Sequence, residues 1–97
     1  MMTEITFVVL TTPNDHEVID ALKSIRNLGH IILIDGGFRR DKKNYNADII
    51  LDIQEVAKKF DATYVFQNFE YAAKQYNLGI SMAKTKWIFI LDSDEII

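Results

Sequence analysis

The chain has 97 residues, 48% of them hydrophobic and 26% charged, a balance typical of one small globular domain. Its formal net charge of −3 argues against a general attraction to nucleic acid or to an anionic membrane. The absence of cysteine excludes disulfides and thiolate metal sites, and the apolar runs fall far short of the roughly 20 residues of a membrane span. We therefore expect a single domain over residues 1–97, without a transmembrane segment and by default cytoplasmic.

The predicted elements begin with a strand over residues 5–10, whose nearly unbroken hydrophobicity is typical of a strand covered on both faces. A turn that contains proline follows, and either Asn14 or Asp15 can cap the next helix. The apolar positions of that helix recur at helical spacing over residues 18–28, and Gly29 is placed to end it.

The rest of the chain continues the alternation of strands and helices. A second buried strand over residues 31–34 ends on Asp35-Gly36-Gly37. The remaining predicted elements are a helix over 49–60, a strand over 63–66, a helix over 69–83 and a strand over 87–91. Strands that alternate with amphipathic helices form βαβ units with right-handed crossovers. The sequence therefore predicts an α/β, Rossmann-like fold, with three helices packed on a mainly parallel sheet of about four strands.

Polar residues follow three of the predicted strands directly. In open parallel sheets, ligands bind at the carboxyl ends of the strands, where the strand order reverses. We therefore expect these residues to converge on one crevice. They are Thr12, Pro13 and Asn14 after the first strand, Asp35, Gly36 and Gly37 after the second, and Asp92, Ser93, Asp94 and Glu95 after the fourth.

The sequence Asp92-Ser93-Asp94 is the most specific indication of a binding site among these segments. One carboxylate can accept hydrogen bonds from a ligand hydroxyl, while the other binds a hard cation that bridges to substrate phosphates. Mg²⁺ or Mn²⁺ is part of this reading, because a diphosphate beside acidic groups would otherwise be repelled. The alternative is an acidic strand end in water, which is the commoner outcome for an isolated D-x-D. The apolar strand before it and the parallel-sheet context favour the site.

The sequence Asp35-Gly36-Gly37 allows two readings. The aspartate can accept hydrogen bonds from a base or ribose while the glycines admit a ligand close to the backbone, or the segment is a glycine turn with a solvated aspartate. Neither a G-x-G-x-x-G fingerprint nor a Walker A sequence is present, which argues against a dinucleotide enzyme. The basic stretch 39–43 can grip a phosphate but is more often a solvated loop.

Four stretches, taken in order, resemble the N-terminal, nucleotide-binding half of the GT-A-fold family 2 glycosyltransferases. Each is weak alone, and their order and spacing carry the resemblance. They read FVVLTTPN at 7–14, ILIDGG at 32–37, YNLGISMA at 76–83 and WIFILDSDE at 87–95.

This resemblance implies an enzyme that transfers a sugar with inversion from a nucleotide-diphosphate sugar, UDP-sugar favoured, to an unknown acceptor. Thr12 and Asp35 would contact the uracil or ribose, Asp92 the ribose or sugar, and Asp94 a Mn²⁺ or Mg²⁺ ion. The catalytic residues stay unknown. The full set expected to bind the nucleotide-sugar is Thr12, Pro13, Asn14, Asp35, Gly36, Asp92 and Ser93.

The chain departs from the family pattern in three ways, of which the first, Lys84-Thr85 in place of the usual Thr-Gly, is tolerable because the turn can be built without glycine. Tyr76 stands where the family usually has an arginine that faces the diphosphate. Family members also continue into an acceptor-binding half that carries the catalytic base, so the domain is incomplete relative to the family. An edge strand without that half would need cover, which makes a homo-oligomer an expected possibility.

Two other functions stay open at this point. One is a non-catalytic nucleotide-binding module that another chain completes. The other is a phosphatase of the haloacid dehalogenase type, in which Asp92 and Asp94 are nucleophile and acid. The phosphatase fits less well, because its motif needs a threonine or valine shortly afterwards and further lysine and aspartate residues downstream.

Overall fold

The computed structural model describes residues 4–13, 15–37, 51–70 and 72–93, and within them one parallel sheet is flanked by helices. Its strands are β1 (Ile5–Thr11), β2 (His30–Asp35), β3 (Thr63–Phe66) and β4 (Trp87–Asp92). Its helices are α1 (Val18–Ile25), α2 (Ile53–Lys59) and α3 (Ala72–Met82). The predicted α/β fold is confirmed, while the predicted start of the second helix at 49–52 falls partly outside the described residues. None of the described helices has the length and apolarity that a membrane span requires.

The strands lie in the order β3-β2-β1-β4, and each neighbouring pair is parallel. The chain moves outward from β1 through β2 to β3 and then returns to add β4 on the other side of β1. Right-handed crossovers put the helices of the outward path on one face and the returning helix on the other. Accordingly, α1 and α2 cover the face that carries Phe7 and Val9, here called the first face. Helix α3 covers the face that carries Val8, here called the second face.

Most of the hydrophobic core lies on the first face. Helix α1 contributes an apolar stripe at the i, i+3, i+4, i+7 spacing of an amphipathic helix. Burying one leucine or isoleucine side chain contributes roughly 1.5–3 kcal/mol, so this stripe holds α1 on the sheet. Its fully buried members are Val18, Ala21, Leu22 and Ile25.

The C-terminal end of α1 differs from the sequence prediction. The helix ends at Ile25, so Leu28 lies beyond it and is 37% exposed instead of joining the apolar stripe. Gly29 does not end the helix in left-handed backbone; a Cβ there would lie 2.5 Å from the carbonyl oxygen of Ile5, so it provides room for a neighbouring strand. At the start of α1, the residue before the first turn is Glu17, whose side chain makes no capping hydrogen bond. Asn14 lies outside the described residues, and the cap by Asn14 or Asp15 stays a prediction.

Helix α3 covers the second face, but only part of its predicted apolar side does so. That side was expected to include Ala73, Ile80 and Ala83, and of these Ala83 packs against the buried residues Val8, Ile32 and Ile34. Ile80 is 42% exposed and Ala73 is also exposed, whereas Gln75 and Gly79 are buried. The cause is Gly79, since a Cβ there would lie only 2.3 Å from Cγ1 of Val8. The helix backbone therefore approaches the sheet on its glycine side. Because each residue advances about 100° around a helix, the next residue, Ile80, turns away from the sheet.

Strand β4 is as apolar as β1 and β2, yet it lies at the edge of the described sheet and most of it is exposed. Leu91 is its one buried apolar residue, and the ring of Phe89 stacks on Phe7 with 5.7 Å between centroids. An apolar edge strand without lysine or proline offers unpaired backbone groups to another chain. The exposed fractions are 58% for Trp87, 37% for Ile88, 50% for Phe89 and 42% for Ile90.

Candidate functional site

The carboxyl ends of β1, β2 and β4 lie side by side in the sheet. Thr11 of β1 is in register with Asp35 of β2, and Leu10 of β1 is in register with Asp92 of β4. The backbone N–H of Gly36 donates to the carbonyl oxygen of Thr11 at 2.9 Å, which extends the pairing beyond β2. The strand order reverses between β1 and β4, the place where open parallel sheets bind ligands. The structure thus brings the three predicted strand ends to one edge of the sheet.

Asp35 and Asp92 nevertheless lie on opposite faces of this sheet. Asp35 shares a row with Thr11 and Asp92 shares a row with Leu10, and successive residues of a strand point to opposite faces. Asp35 accepts a hydrogen bond from a first-face side chain, whereas Asp92 accepts one from α3 on the second face. Asp35 is buried, with 6% exposed, and Asp92 is exposed. A ligand that contacts both carboxylates would therefore extend across the end of β1.

Asp35 is held by one donor on each carboxylate oxygen. The phenol of Tyr64 donates to Oδ2 at 2.8 Å, and the backbone N–H of Gly37 donates to Oδ1 at 2.9 Å. Gly37 has a φ of 77°, in the left-handed region that glycine adopts without strain, and this conformation folds its N–H back toward Asp35. The aspartate is thus a fixed acceptor at the end of β2.

Tyr64 belongs to this site, although the sequence analysis did not single it out. Its pKa is raised to about 12, first because burial disfavours the phenolate, then through the hydrogen bond to Asp35 and the charges of Asp35 and Asp52. Tyr64 lies opposite Leu33, two residues before the level of Asp35. The alternation of side chains along β3 could have indicated which face Tyr64 lies on. The strand pairing that brings Tyr64 close to Asp35 is a feature of the tertiary structure.

The side-chain amide of Gln75 occupies the space beside Gly36. A Cβ on Gly36 would lie 2.7 Å from Nε2 of Gln75, whose side chain is buried and donates to the carbonyl oxygen of Gln67 at 3.0 Å. The glycine at this position therefore makes room for packing within the chain. Its predicted contact with a nucleotide-sugar stays a prediction.

This contact makes a specific prediction about stability. We expect Gly36→Ala to lower the free energy of unfolding by about 1–3 kcal/mol, because the new methyl group overpacks a filled site. In a Gln75→Ala background, the same substitution should cost about 1 kcal/mol less, measured by urea denaturation of all four proteins. Gly37→Ala is the matched control, because its cost arises from positive φ and should be the same with or without Gln75. An identical cost of Gly36→Ala in both backgrounds would contradict this packing.

On the second face, Asp92 is paired with α3. The phenol of Tyr76 donates to Oδ1 of Asp92 at 3.2 Å, across a gap between helix and strand end. Tyr76 is the residue that stands in place of the arginine of the family pattern. In this chain that helix position therefore presents a neutral donor toward the first aspartate of the D-x-D sequence.

The turn after β1 is joined to the end of β4. The hydroxyl of Ser93 donates to Oδ2 of Asp15, and both Ser93 and Thr12 are buried. The carbonyl oxygen of Pro13 accepts from the backbone N–H of Leu51 at 2.6 Å, which ties the same turn to the segment before α2. These bonds fix the geometry of the β1 and β4 ends. They leave the predicted nucleotide-sugar contacts of Thr12, Pro13 and Ser93 as predictions.

Three residues of the predicted site lie outside the described residues: Asn14, Asp94 and Glu95. Within the part of the chain that the structure does describe, no group of three histidine or acidic side chains is placed to hold a metal ion. The assignment of a metal to Asp94 is therefore a prediction. The described site consists of an exposed carboxylate, a buried carboxylate and the β1 turn between them.

Comparison of the sequence and the fold with known proteins identifies the family of this chain. The sequence profile of glycosyl transferase family 2 matches residues 7–97. No curated protein is significantly similar in sequence. Among solved structures, S. aureus TarS aligns with a TM-score of 0.67 and 15% identity over 98% of this chain, which spans 17% of the TarS chain, and this likeness shows the GT-A type, Rossmann-like fold. The match over nearly the whole sequence shows that the chain belongs to glycosyl transferase family 2.

Proposed function

We propose that this chain is the donor-binding part of a glycosyltransferase, which holds a nucleotide-diphosphate sugar at the carboxyl ends of β1, β2 and β4. UDP-sugar is the favoured donor, and the transfer to an acceptor proceeds with inversion. The observation that carries the proposal is the placement of Asp35 and Asp92 on either side of the β1 end, where the strand order reverses, in a member of this family.

The two described carboxylates suit different parts of such a donor. Asp35 is buried and already accepts two hydrogen bonds, so it suits hydroxyl or N–H donors of the nucleoside. Asp92 is exposed on the second face, where it suits a ribose or sugar hydroxyl. The turn after β1, with Thr12 and Pro13, lies between the two carboxylates and would contact the nucleoside at the end of that strand.

A divalent cation is part of the proposal. Carboxylate oxygens are the ligands that Mg²⁺ and Mn²⁺ prefer, and the exposed Asp92 stands two positions before Asp94, the proposed metal ligand, in the sequence. When bound, such a cation would stabilise the negative charge of the leaving diphosphate. The residues of the chain would orient the nucleoside and the sugar on either side of the diphosphate.

A non-catalytic nucleotide-binding module is the second candidate, and one observation favours it. Strand β4 exposes apolar side chains on both faces beside the site, so another chain could cover it and complete the protein. The activity of a whole glycosyltransferase, its acceptor and any homo-oligomer are likewise proposals, because the chain spans only 17% of the matched TarS structure.

Calorimetric titration with UDP, with and without Mn²⁺, tests the donor site. We expect metal-dependent binding that Asp92→Asn weakens at least tenfold, because a charged acceptor is worth about 1.5–3 kcal/mol to a hydrogen-bonded ligand. Asp94→Ala should abolish the dependence on Mn²⁺. The matched control is Asp20→Asn, an exposed carboxylate in the first turn of α1, and it should bind as the parent chain does. If UDP does not bind under any metal condition, both candidate functions are wrong.

Turnover separates the two candidates. A glycosyltransferase should release UDP from a UDP-sugar, to an acceptor or slowly to water, whereas a binding module holds the nucleotide-sugar intact. The release of UDP can be followed by a coupled assay on the same variants. Release of UDP would identify the enzyme. Binding without release is expected both of a module and of a donor-binding part that lacks the catalytic base, so the assay is repeated with the acceptor-binding half supplied.

A further inference from the structure

We propose that Tyr64 is a positioning residue, which fixes the Asp35 carboxylate in the orientation that receives the donors of a bound nucleoside. This inference rests on the proposed function and deepens it. Tyr64 would not touch the ligand itself. It would act through Asp35, and its effect should be seen in Asp35 before any ligand is added.

The two donors to Asp35 together determine how its carboxylate is turned. Tyr64 holds Oδ2 at 2.8 Å and the Gly37 N–H holds Oδ1 at 2.9 Å, so neither oxygen can rotate without losing a bond. Each carboxylate oxygen has a second acceptor site, so two further hydrogen bonds can form. Those remaining sites are the ones a ligand would use, and their direction is set by Tyr64 and Gly37.

The ring of Tyr64 is itself held in place by the core. Its side chain packs against the first-face cluster, the buried apolar residues around Phe7, Val9 and Leu22. Its strand pairs with β2 so that Tyr64 is opposite Leu33. From there the phenol reaches diagonally, two residues further along, to Asp35, a distance that a long aromatic side chain spans across neighbouring strands. A rigid ring at one end and a buried carboxylate at the other give a bond with little freedom.

The protonation of Tyr64 supports this role. With a pKa of about 12, the phenol keeps its proton far above neutral pH and remains a donor to the carboxylate. The charged groups that act on it are Asp35 itself and Asp52, the residue that caps α2 by accepting from the N–H of Glu55. Both are acidic and both favour the neutral phenol.

The first test needs no ligand. In the parent chain we expect the two β protons of Asp35 to show the distinct NMR couplings of a single rotamer. In Tyr64→Phe these couplings should average, because the ring stays but the donor is lost. Incorporating p-aminophenylalanine at position 64, which restores an N–H donor, should restore the single rotamer. Unchanged couplings in Tyr64→Phe would overturn the inference.

The second test uses pH. Because the pKa of Tyr64 in the folded chain, about 12, exceeds the ordinary value of about 10, the unfolded chain loses this proton first. The stabilising contribution is therefore complete below pH 10 and lost as pH rises toward 12. We expect the free energy of unfolding to fall more steeply over this range in the parent chain than in Tyr64→Phe. Asp35→Asn should lower the pKa of Tyr64 itself, measured by the phenolate absorbance.

The third test measures affinity for UDP with Mn²⁺. Tyr64→Phe should weaken binding about tenfold, with p-aminophenylalanine recovering most of it. Val65→Ala is the control, because Val65 is the next residue of β3 but packs on the opposite face of the sheet from Asp35, against the cluster of Val8 and Ile34. An equal loss of affinity in Val65→Ala would assign the effect to the stability of β3 and overturn the positioning role. If the parent chain binds no UDP, the proposed function fails, while the couplings of Asp35 still decide the role of Tyr64.

Discussion

Gly79→Ala should lower the free energy of unfolding by about 2 kcal/mol, although alanine is the better helix former by about 0.8–1.0 kcal/mol. The added Cβ would lie 2.3 Å from Cγ1 and 3.0 Å from Cγ2 of Val8, and 3.2 Å from Cδ1 of Ile34. Val8 is fully buried on the central strand, so it cannot move aside. Helix α3 must therefore shift away from the sheet or tilt.

A double-mutant cycle checks this prediction by urea denaturation. Val8→Ala alone should be destabilising because it leaves a cavity, yet Gly79→Ala should cost at least 1 kcal/mol less in that background, since the new methyl fills the space. Asn77→Ala, on the exposed side of the same helix, is the matched control and should change stability by no more than about 0.5 kcal/mol. Additive effects of the Gly79 and Val8 substitutions would contradict the close approach of helix and sheet.

Gly79→Ala should also affect the candidate site. Tyr76 lies one turn before Gly79, and its phenol donates to Asp92. When α3 is displaced from the sheet, that bond is lengthened or lost. We therefore expect Gly79→Ala to alter UDP binding through Asp92 as well as stability.

Leu22→Ala should lower the free energy of unfolding by about 3–4 kcal/mol, the upper range for a leucine removed from a closed core. Leu22 is fully buried in the first-face cluster between α1 and the sheet. Because a domain of this size changes its melting temperature by about 4–8 °C per kcal/mol, the midpoint should fall by more than about 10 °C. Circular dichroism during thermal unfolding measures the change.

Leu28→Ala is the matched control for this prediction. The sequence pattern places Leu22 and Leu28 in the same apolar stripe, but the structure leaves Leu28 37% exposed beyond the end of α1. Its replacement should cost less than about 1 kcal/mol. Equal losses for the two leucines would mean that α1 continues past Ile25 and buries both.

The sequence was sufficient to predict the fold class because its signals are local. The apolar runs that became β1 and β2 and the stripe of α1 are set by residues that are neighbours along the chain. The position of Asp35 and Asp92 at strand ends follows from the same runs. The alternation of elements then required a parallel sheet, and the structure has one.

The predictions that went wrong involve the orientation of a helix or the end of an element. The buried side of α3 carries Gln75 and Gly79, because close approach to Val8 outweighs the apolar pattern that pointed to Ile80. The carboxylate of Asp15 accepts the Ser93 hydroxyl from the end of β4, a contact that the sequence analysis did not predict. A partner this distant along the chain cannot be read from spacing.

The sequence by itself determined that this chain is an α/β domain of the glycosyl transferase family 2 pattern, with acidic residues at the ends of two strands. Only the tertiary structure decided that Asp35 and Asp92 lie on opposite faces, and that each accepts a hydrogen bond from a tyrosine. The physical reason is that the face of a strand residue depends on register. Register is fixed by pairing between segments that are far apart in the chain.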